Sequence, residues 1–221
     1  MESNQVKQIE DLDIKQNAFI VIASKRNSGK TVLTKNLIKY LFDKYEYQFS
    51  VIFSDTAGFN GDYDNIFEKE FVFKSEQLDD KVTKILNIQE KSIKSKKIIH
   101  GLIVLDDVKI YKRSKILVDL ATKSRHFKLT VICSVQYCKE LISSSIRSNI
   151  DYLFWSDLNQ QALMAIYQSI HVPLNFKKFE EFVNEYNTNY KFIFYNIKEA
   201  DKVKRLSIVR ATEFSNLKLQ K

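Results

Sequence analysis

The stretch Phe19-Ile20-Val21-Ile22-Ala23-Ser24-Lys25-Arg26-Asn27-Ser28-Gly29-Lys30-Thr31 decides how this chain folds. Its first five residues form an unbroken apolar run of strand length, and Leu33, Leu37 and Leu41 then recur at helical spacing. A loop between a buried strand and a helix turns its backbone N–H groups toward the positive end of the helix, which is where phosphates bind. The loop keeps the pattern G-x-x-x-x-G-K-[ST] at Gly29, Lys30 and Thr31 and departs from it at Ser24, where the first glycine normally stands. Gly29 allows close approach of the backbone to a β-phosphate, Lys30 neutralises β- and γ-oxygens, and the Thr31 hydroxyl is a ligand for Mg²⁺. Lys25, Arg26, Asn27 and Ser28 complete the candidate phosphate cradle. Ser24 suits its place if its φ stays negative.

A second apolar run, Leu102 to Leu105, ends in Asp106 and Asp107. Asp106 is the expected holder of Mg²⁺, through water, and Asp107 the expected group that polarises the attacking water, with a reach about one methylene shorter than a Glu. Gln136 closes the run that starts at Leu129, and polar groups at the C-terminal ends of buried strands are where α/β sheets gather their ligands. It is a candidate contact for the γ-phosphate and the lytic water. Asp55-Thr56-Ala57-Gly58 imitates a GTPase switch, but it follows Lys30 too closely to leave room for an effector loop, and no Asn-Lys-x-Asp follows. Asp55 therefore reads as a strand-end residue, and the nucleotide as ATP.

Further out, Val51 to Phe53 reads as a strand, Gly58 to Asn65 as loop, and Phe71 to Phe73 as a short strand. Leu78, Val82 and Ile85 mark a helix. Ser114 is placed to cap a helix carrying Leu117, Leu120 and Ala121, and Tyr152 to Trp155 is another buried strand. Apolar strands alternating with helices predict an α/β fold with a mainly parallel central sheet flanked by helices. Tyr190 to Tyr195 and Arg205 to Val209 predict a C-terminal antiparallel hairpin. The chain is expected to form a single domain over residues 1–221, with 1–16 as a flexible N-terminal arm.

The 221 residues carry a net charge of +8, which favours a polyanionic partner. No apolar run reaches the roughly 18 residues of a membrane span, and the N-terminus lacks a secretory leader, so an intracellular, non-membrane protein is expected. Cys133 and Cys138 match neither a disulfide framework nor a zinc site and read as ordinary buried residues.

Two further blocks narrow the family. Ser124-Arg125-His126 precedes the strand ending in Gln136, and Ile146-Arg147-Ser148-Asn149 precedes the strand at Tyr152. With the Ser-Gly-Lys-Thr loop and the Leu-Asp-Asp strand, they resemble the genome-packaging ATPases of nucleocytoplasmic large DNA viruses, virophages and Polinton-type elements. Those form a branch of the FtsK–HerA superfamily of P-loop motors, and the likeness runs from about Phe19 to Trp155.

The resemblance implies a P-loop fold of the additional-strand type, hydrolysis of ATP with Mg²⁺, and assembly as a homo-oligomeric ring, a pentamer or hexamer. It implies ATP-driven movement of double-stranded DNA into a preformed capsid, at a capsid vertex or inner membrane component, in the host cytoplasm at sites of virion assembly or in the virion. An Arg that reaches the neighbour's γ-phosphate is usual in such rings, and Arg125, ahead of Arg147, is the candidate. Lys91, Lys94, Lys96 and Lys97, and Lys202, Lys204, Arg205 and Arg210, are candidate DNA contacts. Two other readings are an ATPase that remodels a different nucleoprotein complex and a nucleotide-binding scaffold that does not hydrolyse.

Overall fold

The computed structural model describes residues 6–108, 115–136, 144–186, 190–202 and 204–213. Ser114 and Cys138 lie outside these residues. The strand-and-helix alternation gives β1 (Val6–Lys7), β2 (Phe19–Ser24), α1 (Lys30–Lys44), β3 (Phe49–Ser54), α2 (Ala57–Asn60), β4 (Val72–Phe73) and α3 (Leu78–Lys94). It continues with β5 (Gly101–Asp106), α4 (Lys115–Lys123), β6 (Leu129–Val135), α5 (Ser144–Arg147), β7 (Tyr152–Ser156), α6 (Gln160–Tyr167), α7 (Phe176–Tyr186), β8 (Lys191–Asn196) and β9 (Leu206–Arg210). None of the described helices is long and apolar enough to cross a membrane.

The strands form one nine-stranded sheet in the order β1-β9-β8-β7-β2-β6-β5-β3-β4. Every neighbouring pair is parallel except β7 with β8 and β8 with β9, so β8 alone runs against the others. The expected α/β class and C-terminal hairpin are both present. β6 lies between the loop-bearing strand β2 and the acidic strand β5, which is the inserted strand of the additional-strand type.

Strand side chains alternate between faces, and β2 shows why its sequence is apolar throughout. Phe19, Val21 and Ala23 join one core with residues of α3, α4, α6 and α7. Ile20 and Ile22 join a second core, built around Leu33, Leu37 and Leu41 of α1. The first residue of β5 is a glycine, where a Cβ would stand 2.2 Å from the Phe49 ring on β3. Cys133 is buried in β6 as a plain core residue.

Two expectations need correction. From Val6 onward the N-terminal segment is not a loose arm: Val6 and Lys7 pair with Ile208 and Val209 on β9, and Ile9, Leu12 and Ile14 are buried. Tyr40 donates its hydroxyl to the Leu12 carbonyl at 2.6 Å and Tyr45 to the Ile14 carbonyl at 3.0 Å, which fastens the segment to α1 and its end. The stretch read as loop after β3 begins with the single helical turn of α2, and Tyr63 and Phe67 beyond it are buried in the second core.

Candidate nucleotide site

Because β2, β3, β5, β6 and β7 run parallel, their C-terminal ends share one edge of the sheet. Register aligns Ser54 with Asp106, Asp106 with Ser134, Ala23 with Val135, and Ser24 with Ser156. The loop after β2 rises from that edge. Ser24 is the last residue of β2 and is fully buried, and its φ is not positive. Its hydroxyl donates to the Ser156 carbonyl at 2.6 Å, a tie to β7 that a glycine would not make. The left-handed conformations fall instead on Asn27 (φ +58) and Gly29 (φ +91).

Gly29 is the N-cap of α1. The Ser28 hydroxyl donates to the Lys25 carbonyl at 2.7 Å, and Lys30 Nζ donates to the same oxygen at 2.7 Å. Lys30 is 6% exposed. Burial holds its ammonium pKa below the usual lysine range, while Asp107 and Asp106 pull the other way, so both carboxylates act on this one cation. Thr31 is half-buried in the first turn of α1, and Lys25, Arg26 and Asn27 are exposed. Lys25 also pairs with Asp157 at 2.9 Å in an exposed contact of little energetic weight.

Asp106 ends β5 and is 4% exposed. Burial pushes its carboxyl pKa up, and the Tyr63 hydroxyl, which donates to Oδ2 at 2.8 Å, opposes that rise. Asp107 follows in a left-handed conformation, φ +52, which a short polar side chain tolerates. Its Oδ2 accepts from Gln136 Nε2 at 2.7 Å. Gln136 and Asp107 are thus a joined pair at the end of adjacent strands, beside the strand that leads to Lys30.

Asp55 is engaged outside this cluster. Its two oxygens accept from the Ser75 backbone N–H at 2.9 Å and from the Ser75 hydroxyl at 2.8 Å, which anchors the approach to α3. Tyr63 is the site residue that sequence reasoning missed. Its signal, an aromatic in a polar stretch that also holds the exposed Phe59, is too weak to separate it from a surface loop residue.

Arg125 and Arg147 do not join the cluster. Arg125 lies just before β6, at the opposite edge of the sheet, and its guanidinium pairs with the buried carboxylate of Asp151. Asp151 also accepts from the Phe19 backbone N–H at 2.9 Å and pairs with Lys198 at 3.1 Å. Arg147 ends α5 and donates to the Ser169 hydroxyl at 3.3 Å. His126 is exposed. Among the lysines, Lys94 pairs with Glu90 at 2.6 Å, and Lys91, Lys96 and Lys97 are exposed near it. Arg205 is engaged within the C-terminal hairpin region, donating to the Glu199 carbonyl at 2.7 Å.

The site's chemistry fits a magnesium-bound triphosphate. A hydroxyl at Thr31 and a carboxylate at Asp106 are hard oxygen donors, and Mg²⁺ is normally held by one or two such groups plus phosphate oxygens and water. Gly29 leaves its backbone open beside the helix N-terminus, where a side chain would not fit: a Cβ would stand 2.6 Å from Tyr190 Cδ1.

A family model described as Poxvirus A32 protein matches residues 7–214, well beyond the Phe19 to Trp155 span carried by the sequence blocks. No curated protein matches the chain by sequence. Among solved structures, B204, the DNA-packaging ATPase of Sulfolobus turreted icosahedral virus, is 16% identical with a TM-score of 0.61, covering 90% of this chain and 100% of that one. The genome-packaging NTPase B204 of Sulfolobus turreted icosahedral virus 2, solved with AMPPCP, is 16% identical with a TM-score of 0.61, covering 88% of this chain and 98% of that one. The pCW3 conjugation coupling protein TcpA, solved with ATPγS, is 14% identical with a TM-score of 0.61, covering 90% of this chain and 61% of that one. At these identities the likeness is one of fold.

Proposed function

The chain belongs to the Poxvirus A32 protein family, and from that premise we propose that it is an ATPase that drives double-stranded DNA into a preformed viral capsid, working as a homo-oligomeric ring. The observation that carries the reading is the convergence of Lys30, Asp106, Asp107 and Gln136 at one sheet edge. The names of the solved relatives support it, since they include viral DNA-packaging ATPases and proteins captured with ATP analogues.

In this reading the loop amides from Lys25 to Thr31 orient the triphosphate, and Lys30 releases the Lys25 carbonyl to meet β- and γ-oxygens. Thr31, and Asp106 through water, would hold Mg²⁺, which when bound neutralises charge on the phosphate oxygens. Asp107 orients the attacking water and accepts its proton, and Gln136 fixes the carboxylate that does so. Burial of Asp106 and Lys30 excludes bulk water and strengthens each of these interactions.

Arg125 is proposed to act in a neighbouring subunit. It lies at the far edge of its own sheet, so service to a γ-phosphate requires an adjacent chain. The exposed lysines at the end of α3 are proposed DNA contacts. Work at a capsid vertex or inner membrane component, in the host cytoplasm, completes the proposal.

The test pairs assembly mass with transport. The purified chain, given an ATP analogue, is expected to form a closed ring of a single mass, and with ATP it should displace a triplex-forming strand from duplex DNA. A monomer at all concentrations that hydrolyses ATP but displaces nothing would replace the motor reading with that of a remodelling ATPase.

A further inference from the structure

Tyr190 immediately precedes β8, and three features set it apart. It is a bulky residue in the left-handed region, φ +57, where such side chains are rarely found. It is 54% exposed although aromatic. Its ring lies against the phosphate loop, because a Cβ on Gly29 would stand 2.6 Å from its Cδ1 and 3.4 Å from its Cε1. Its backbone is held there by the Ala211 N–H, which donates to the Tyr190 carbonyl at 3.0 Å. Backbone strain that persists beside a binding loop points to function at that place.

The sheet shows on which side of the loop the ring stands. β8 runs against β7, with Ile193 opposite Trp155, so the start of β8 returns to the edge from which the loop rises. Asp106 ends β5 and Asp107 follows it, two strands from β2 in one direction, and Tyr190 leads into β8, two strands from β2 in the other. With strands about 4.8 Å apart, each lies roughly 10 Å from the β2 axis. Phosphates drawn toward the two carboxylates leave the rest of a nucleotide on the β7 and β8 side, over the exposed ring.

We propose that Tyr190 is the platform for the nucleoside of the bound triphosphate, its ring stacking on the base while Gly29 and Lys30 hold the phosphates. This rests on the nucleotide-binding reading above and deepens it. Stacking is tolerant of base identity, because every base presents a π-face. The ring therefore supplies affinity for a nucleoside triphosphate over bare triphosphate without selecting strongly among purines. Gly29 has a second constraint beyond its φ, since any side chain there would collide with the platform.

Titration calorimetry with Mg²⁺ compares ATP and inorganic tripolyphosphate on the wild type, Tyr190→Asn and Tyr190→Phe. Asn removes the ring and tolerates the left-handed backbone. The wild type is expected to prefer ATP; Tyr190→Asn should lose about tenfold in ATP affinity and keep its tripolyphosphate affinity, while Tyr190→Phe stays within about twofold for both. Unchanged ATP affinity in Tyr190→Asn overturns the proposal. Equal losses for both ligands also overturn it, because the ring would then be shaping the loop. If the wild type binds ATP no better than tripolyphosphate, the platform alone falls; if it binds neither, the nucleotide reading falls and takes the platform with it. Unfolding midpoints without ligand confirm that the variants are folded.

Discussion

Tyr63 donates its hydroxyl to Asp106 across 2.8 Å, and both side chains are buried, 1% and 4% exposed. The bond joins the segment after α2 to the carboxylate at the end of β5. Burial and the neighbouring Asp106 charge push the Tyr63 phenol pKa far above its usual value, so it remains a donor at any working pH. Tyr63→Phe keeps the ring and removes the bond. It should weaken Mg²⁺-dependent ATP binding by about tenfold, the scale of one hydrogen bond to a charged group, and leave magnesium-free binding nearly unchanged. Titrations with and without Mg²⁺ check this, and equal effects in both would remove Tyr63 from metal positioning.

The raised pKa of Asp106 makes the stability of the fold depend on pH. The folded state keeps this proton to a higher pH than the unfolded state does, so stability falls as pH climbs from the ordinary carboxylate range through the raised value. Asp106→Asn lifts that penalty. Its unfolding midpoint without ligand should exceed the wild type's at neutral pH and converge with it in acid, while Mg²⁺-dependent ATP binding is lost. Thermal melts across pH are the check, and a midpoint below the wild type's at neutral pH would contradict it.

What the sequence disclosed was local. β2, β5, β6 and β7 are buried on both faces, so their apolar runs announce them, and the loop at Gly29 and Lys30 is fixed by its place between a strand and a helix. The N-terminal segment was hidden because Ile9, Leu12 and Ile14 are separated by polar residues and owe their burial to contacts with α1 and the sheet. Tyr63 was hidden for the same reason: its partner lies 43 residues away. The position of β6 between β2 and β5 depends on which strands pair, and no periodicity encodes that.

Asp151 offers a test of structure apart from chemistry. It is 3% exposed, accepts from the Phe19 N–H, and gathers Arg125 and Lys198. Asp151→Ala leaves the N–H at the head of β2 unsatisfied and should cost about 1–3 kcal/mol in denaturant unfolding. Arg125→Ala should cost far less, since its side chain is 60% exposed.

The same substitution probes the neighbour's site. Subunits bearing Arg125→Ala and subunits bearing Lys30→Ala should each be inactive alone, and mixing them should restore part of the ATPase rate, because some interfaces then pair an intact loop with an intact arginine. No recovery in mixed rings would remove Arg125 as the residue that acts in trans.

Asp107→Asn separates binding from turnover. It preserves the shape and a hydrogen bond to Gln136 while removing the base, so ATP affinity should stay within a few-fold and hydrolysis should fall by about 10²–10⁴. A rate near that of the wild type would move the catalytic base elsewhere.

The most direct measurement is the ATPase rate of the wild-type chain with and without duplex DNA, at low and at raised salt, with Lys30→Ala as the blank. Duplex DNA should accelerate turnover at low salt, added salt should erode the acceleration as phosphate contacts weaken, and Lys30→Ala should show no turnover. Hydrolysis indifferent to DNA at low salt, or equal in Lys30→Ala, would contradict a DNA-driving ATPase centred on this loop.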